Sequence, residues 1–241
     1  MNIHFIQQDS WVKPGEYLAW AERHKHPVSY TKCWKYETVP DKADADMLII
    51  LGGYQNPATT KEECDYFDAE AEKELIRKYA EAGKIVIGVC LGAQLMGEAF
   101  GAPYEHSPER EIGAVITRKT EEGKSDPFLK DIPDIFYSGQ FHSDMPGLTK
   151  DSVVLAESDG CPRQIVKYGK YLYGFQAHME FTHDIIVDGM EQNRHILEKG
   201  GRFVQTEEEL LAFDYSDMNQ LMSGFLDAMI ESYIKERGEG K

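Results

Sequence analysis

Apolar positions along the chain follow two periods, and up to Gly101 the two alternate. Ile3 to Gln7 reads as a first strand. Gly15 to His24 reads as a helix, with Tyr17, Leu18 and Ala21 on one side. Val28 to Trp34 is rich in β-formers and reads as a second strand. Asp46 to Leu51 carries the unbroken apolar run of a strand covered on both faces, and it stops at Gly52-Gly53. A helix is then expected to open at Thr59 or Thr60, because Thr59-x-x-Glu62 and Thr60-x-x-Glu63 both match a capping box. Phe67, Ala71, Leu75 and Tyr79 would be its buried stripe, and Gly83 its end. Ile85 to Val89 is a further β-branched run, and Leu91 to Phe100 follows at once with a helical pattern.

After Gly101 the pattern changes. Short strands are expected at Ala114 to Arg118, Asp134 to Tyr137, Val153 to Glu157, Gln164 to Tyr168 and Tyr171 to Phe175. From His183 the chain reads as largely helical, with another capping box at Thr206-x-x-Glu209. Met218, Leu221, Met222, Phe225, Met229, Ile230 and Tyr233 form an apolar stripe at helical spacing, suited to packing on the domain itself. Gly238 to Lys241 is expected to fray. The pattern predicts an α/β fold: a flavodoxin-like, doubly wound, mostly parallel central sheet with a small β-rich extension and C-terminal helices. One domain is expected over residues 1–241, with its core over about 1–185 and a helical extension over 186–241.

Composition narrows the partners. A formal net charge of -16 repels phosphate backbones and anionic lipid, which argues against nucleic-acid and membrane-surface binding. No apolar run reaches the length of a membrane span, and Met1 to Ile6 lacks the features of a signal peptide. Four cysteines, Cys33, Cys64, Cys90 and Cys161, stand far apart with no Cys-x-x-Cys pair. That suits a reducing compartment, and a cytoplasmic location is expected.

The candidate chemistry centres on Gly88-Val89-Cys90-Leu91-Gly92. A strand that ends in a nucleophile flanked by glycines and runs straight into a helix is the pattern of a nucleophile elbow. The helix N-terminus favours a thiolate. The competing reading is a buried core cysteine. Gly52-Gly53, at the end of another central strand, would free backbone N–H groups to face a ligand; the plainer reading is a loop start. His178-Met179-Glu180 places a base and a carboxylate two residues apart, on one side of a strand, as a Cys-His-acid triad requires. A metal cluster that adds His183 and Asp184 competes, without the His-Glu-x-x-His frame. His24 and His26, in a polar turn, read as exposed rather than metal-bound.

Together these stretches resemble the class I glutamine amidotransferases, whose site is a Cys-His-Glu triad. The likeness runs over roughly residues 40 to 185: Gly-Gly after a strand, Gly-x-Cys-x-Gly-x-Gln at the elbow, and His-x-Glu near the end. The section between them is most similar to the amidotransferase domain of GMP synthase, through Phe141-His142-Ser143-Asp144, the strand Val153 to Ala156, and Tyr173-Gly174-Phe175-Gln176-Ala177-His178-Met179-Glu180. Three departures stand out. Met179 replaces a frequent Pro, Tyr54-Gln55-Asn56-Pro57 replaces the usual Gly-Pro, and the Ser-Gly-Gly-x-Asp-Ser loop of the synthetase domain does not occur. GMP synthesis is therefore not carried over.

The resemblance implies an enzyme that hydrolyses the side-chain amide of glutamine, or of a γ-glutamyl compound, through a Cys90 thioester. His178 would be the base and Glu180 its orienting carboxylate. The N–H groups of Gly53 and Leu91, with Gly52 beside them, would bind the oxyanion. Gln94 would hold the substrate, with His142 and Asp144 lining the pocket. No metal or cofactor is implied. The ligand is a small molecule, and a separate synthetase subunit remains open as a partner. The alternatives are a γ-glutamyl peptidase or transferase that needs no synthetase, a non-catalytic binding module, and an unrelated cysteine hydrolase on the same kind of sheet.

Overall fold

The computed structural model describes residues 1–239. The first half alternates strand and helix: β1 (Ile3–Gln7), α1 (Glu16–Arg23), β2 (Val28–Lys32), β3 (Met47–Ile50), α2 (Ala69–Glu81), β4 (Ile85–Val89) and α3 (Leu91–Ala99). Then come β5 (Glu105–Lys119), the short α4 (Glu121–Ser125), β6 (Ile135–Met145), β7 (Val153–Ser158), β8 (Ile165–Gly169) and β9 (Leu172–Phe175). The chain ends with α5 (His183–Leu197), β10 (Phe203–Val204), α6 (Glu207–Ala212) and α7 (Ser216–Glu239).

All ten strands join one sheet, in the order β10-β5-β7-β8-β9-β4-β3-β1-β2, with β6 also on β5. The run β2-β1-β3-β4-β9 is parallel throughout, the order of a flavodoxin-like doubly wound sheet. β8, β7, β5 and β6 continue it in antiparallel pairs, as the β-rich extension. Strand periodicity divides the core. Met47, Ile49, Ile85, Ile87 and Val89 face one layer, with Trp20 of α1 and Phe225 and Met229 of α7. Leu48, Ile50 and Val86 face the other, with Leu75 of α2 and Leu95 of α3. Ligands of such sheets bind beyond the carboxyl ends of the parallel strands, where β3, β4 and β9 all deliver their loops.

Several expectations shift. The helix after Gly53 starts at Ala69, not at Thr59 or Thr60. Its cap is Asp68, which accepts from the Ala71 N–H at 3.1 Å. At Thr60–Glu63 half of the box forms: Thr60 N–H donates to Glu63 at 2.8 Å, but Glu63 N–H bonds the Thr60 carbonyl at 3.1 Å instead of the hydroxyl, closing a turn that tucks Cys64 and Phe67 inward. The strands expected at Ala114 and Asp134 are the ends of two much longer strands. Their added length carries polar side chains with little apolar alternation, and Pro108 falls within a register shift between His106 and Glu111. The C-terminal extension is not purely helical, since β10 adds a parallel strand beside β5. The Thr206–Glu209 capping box is formed. The expected stripe is buried on α7 except for Leu221, which is partly buried. Of the segment expected to fray, Gly238 and Glu239 are helical, while Gly240 and Lys241 lie outside the described residues. No helix among the described residues is long and apolar enough to cross a membrane.

Candidate active site

The elbow is built by close approach. A Cβ on Gly88 would stand 2.4 Å from the carbonyl oxygen of Gly92, and a Cβ on Gly92 would stand 2.2 Å from that of Ile50. Side chains at either position would push α3 away from β3 and β4. Cys90 itself has φ 52° and ψ -109°, a positive φ that few non-glycine residues adopt. Its N–H donates to Phe175 O at 2.7 Å, tying the turn to β9, and its carbonyl accepts the first helical bonds from Ala93 and Gln94 at 3.0 and 3.2 Å. The thiol lies at the N-cap of α3, 7% exposed.

His178 borders the same cavity as Cys90, from the neighbouring strand end though not from a strand. β9 stops at Phe175, and the chain bends before an isolated bridge pairs His178 with Gly139 of β6. His178 N–H donates to Gly139 O at 2.7 Å, and Gly139 N–H returns the bond at 2.9 Å. The residue 139 backbone comes so close that a Cβ there would lie 2.8 Å from His178 O. The Phe181 ring stacks on the imidazole at 4.2 Å between centroids, nearly parallel at 11°. His178 Nδ1 meets Glu180 Oε1 at 2.6 Å, and both side chains are buried. Burial alone would lower the imidazole pKa. The Glu180 charge and its hydrogen bond, with Cys90 beside the ring, outweigh burial and raise it to about 10.

The other candidates surround this group. A Cβ on Gly52 would stand 3.3 Å from Cys90 Cβ and 3.4 Å from His178 Cε1, so the Gly-Gly turn lies against both. The backbone N–H groups of Gly53 and Leu91 have no acceptor among the described residues. Gln94, buried on α3, donates to Gln176 Oε1 at 3.1 Å, and its own Oε1 has no partner among the described residues. His142 and Asp144 both line a polar cavity beside Cys90. His142 Nε2 is held at 2.9 Å from Gln140 Oε1 and 3.3 Å from Glu111 Oε2, and Asp144 pairs with His106 at 2.6 Å.

The metal reading of His178, Glu180, His183 and Asp184 finds no such grouping. Among the described residues, three ligating side chains converge at Glu111, His142 and Cys161, within 4.8 Å. There the Glu111 oxygens already accept from Ser158 at 2.6 Å and Gln164 at 2.5 Å. His24 and His26 stack around Trp20. Three residues escaped the sequence reading: Phe181, Gln140 and Asn219. Phe181 adjoins the His-x-Glu motif and could have been suspected. Gln140 and Asn219 act through contacts that no local pattern signals.

The chain is similar to known proteins. A family model described as Glutamine amidotransferase class-I matches residues 21–196. The glutamine amidotransferase-like protein YfeJ of Salmonella typhimurium strain LT2 is 44% identical over 232 residues, 95% of this chain and 97% of YfeJ. The glutamine-hydrolysing GMP synthase of Bacillus mycoides is 33% identical over 108 residues, which are 44% of this chain and 20% of the synthase. The crystal structure of SMU.1228c aligns with a TM-score of 0.93 at 48% identity, over 95% of this chain and 100% of that one. With the family model and YfeJ both matched over most of its length, the chain belongs to the class I glutamine amidotransferase family.

Proposed function

We propose that this protein is a Cys-His-Glu amidase that cleaves the side-chain amide of glutamine or of a γ-glutamyl compound through a thioester. The observation that carries the reading is the 2.6 Å contact between His178 and Glu180, with Cys90 at the elbow lining the same cavity as the imidazole. Cys90 attacks the γ-carbonyl with its proton held on the His178 imidazole, which the Glu180 charge keeps protonated. His178 then protonates the leaving nitrogen, and Glu180 stabilises the imidazolium and holds its orientation. The N–H groups of Gly53 and Leu91 stabilise the oxyanion, a contribution of about 2.7–4 kcal/mol per donor in comparable sites. Gln94, His142 and Asp144 serve the acyl half of the substrate. Water resolves the thioester in a hydrolase, an amine in a transferase.

Turnover without a synthetase is the reading favoured for the isolated chain. α7 places its apolar stripe on its own sheet instead of leaving it for a partner. The four buried free cysteines suit work in the cytoplasm. The test is ammonia and amine release by the purified protein from glutamine and a panel of γ-glutamyl compounds. Cys90→Ala should abolish release and leave the thermal midpoint almost unchanged. Activity that survives Cys90→Ala would place the nucleophile elsewhere. Activity that appears only after a second cellular protein is added would establish the subunit alternative.

A further inference from the structure

We propose that the amide nitrogen of the physiological substrate carries an apolar group, so that the protein acts on γ-glutamyl amides of small aliphatic amines. This deepens, and rests on, the Cys-His-Glu reading. Two cavities meet at Cys90, one of mixed lining and one almost wholly apolar. One, about 190 Å³, offers polar groups from Tyr54, Gln55, Gln94, Arg110, Ser143 and Asp144. These suit the α-amino and α-carboxylate groups of a γ-glutamyl unit. The other, about 60 Å³, is walled by Trp11, Val12, Ile185, Ile186, Met190 and Leu210.

The side of Cys90 on which each cavity lies decides its occupant. His178, Glu180 and Phe181 line the apolar chamber, and His178 does not line the polar one. The leaving nitrogen must face His178 to receive its proton. Any substituent on that nitrogen then enters the apolar chamber. As the S–C bond forms, the C–N bond breaks, and the thiol proton passes through the imidazole to the departing amine. Water then forms the O–C bond as the S–C bond breaks, returning a proton to sulfur and releasing glutamate. For bare ammonia the apolar wall supplies almost no hydrogen-bonding partner. An aliphatic substituent fits it. Lys13, a cation on the same wall, already faces a carboxylate, that of Asp188.

α5 supplies the means to test the chamber. Gly189 lines it, and a Cβ there would meet nothing within 4 Å. The full chain should be assayed with glutamine and with the γ-glutamyl methyl-, ethyl-, propyl-, butyl- and isoamylamides. kcat/KM should rise about fourfold per methylene until the chamber is full, the value expected for burying a CH₂ group. Gly189→Leu should lower the isoamylamide-to-glutamine ratio at least tenfold, and Gly189→Ala less. Glutamine turnover with a flat or falling amide series would overturn this inference and leave the triad reading intact. γ-Glutamyl-leucine preferred over the isoamylamide would overturn the assignment of a simple amine. Inertness towards glutamine and every amide would overturn both readings.

Discussion

Asn219, on the C-terminal helix, donates its side-chain amide to the carbonyl of Met179 at 2.8 Å, and the same nitrogen reaches the carbonyl of Phe181 at 3.0 Å. The two carbonyls flank Glu180, so one amide clamps the backbone on which the carboxylate and its histidine stand. Asn219→Leu keeps the volume and orphans both acceptors. It should cost about 1–3 kcal/mol of stability and lower kcat about 10- to 100-fold through misplacement of His178. The readout that separates positioning from mere stability is the pH–rate profile, whose His178 limb should move. Lost stability with an unchanged kcat and profile would reduce Asn219 to a structural role.

Glu180→Gln removes the charge that, against burial, raises the His178 pKa to about 10. The imidazole pKa should fall, by NMR titration of its ring protons. The linked effect on stability has a definite sign. A histidine whose folded pKa lies above its unfolded value near 6.5 contributes stability fully below about pH 6.5, lost as pH rises through about 10. In Glu180→Gln that alkaline loss should shrink. An unchanged slope would mean that Glu180 does not set the charge of His178.

Glu72 poses the opposite case. It is buried on α2, accepts from Gln8 Nε2 at 2.8 Å, and burial pushes its carboxyl up to about 8. The folded state therefore holds a proton that the unfolded state has lost, and stability should decline as pH rises from about 4.5 to about 8. Glu72→Gln should flatten that decline in thermal midpoints measured from pH 4 to 9. A decline equal to the parent's would put its origin elsewhere.

Gly92→Ala tests the elbow's packing. The new Cβ must displace the Ile50 carbonyl, against which it would lie at 2.2 Å. Overpacking of this kind costs about 1–3 kcal/mol and at times more. A midpoint equal to the parent's would show that α3 shifts freely.

The parallel half of the sheet was legible in the sequence because its signals are local. Met47 to Leu51 and Ile85 to Val89 announce buried strands, and Cys90 between Gly88 and Gly92 announces the turn. The Thr60–Glu63 signal mislocates the helix, since the two residues form only half of a capping box and close a turn. His178 and Glu180 were paired correctly for a reason that was only partly right. The pair meets, but on a bent segment held by Gly139 rather than on a strand. The length of β5 and β6 was hidden because residues 105–110 show no apolar alternation, and of these only Glu105 and His106 pair in register with β6. Asn219 was invisible, its hydrogen-bond partners lying 40 and 38 residues away.

α7 has a consequence for how the protein is made. Its Phe225 and Met229 share a core with Ile3 and Phe5 of β1, and its Asp227 accepts from Trp20 at 2.8 Å across 207 residues. β1 thus waits for α7, on the order of 10–40 s at ordinary translation rates. Until then one face of β1 and β3 lacks its cover, and the carbonyls around Glu180 lack their amide. A nascent chain halted before Ser216 would carry the elbow and its cysteine without the element that steadies the histidine. Synthesis of α7, closure of this core and steadying of the histidine segment would then be one late event.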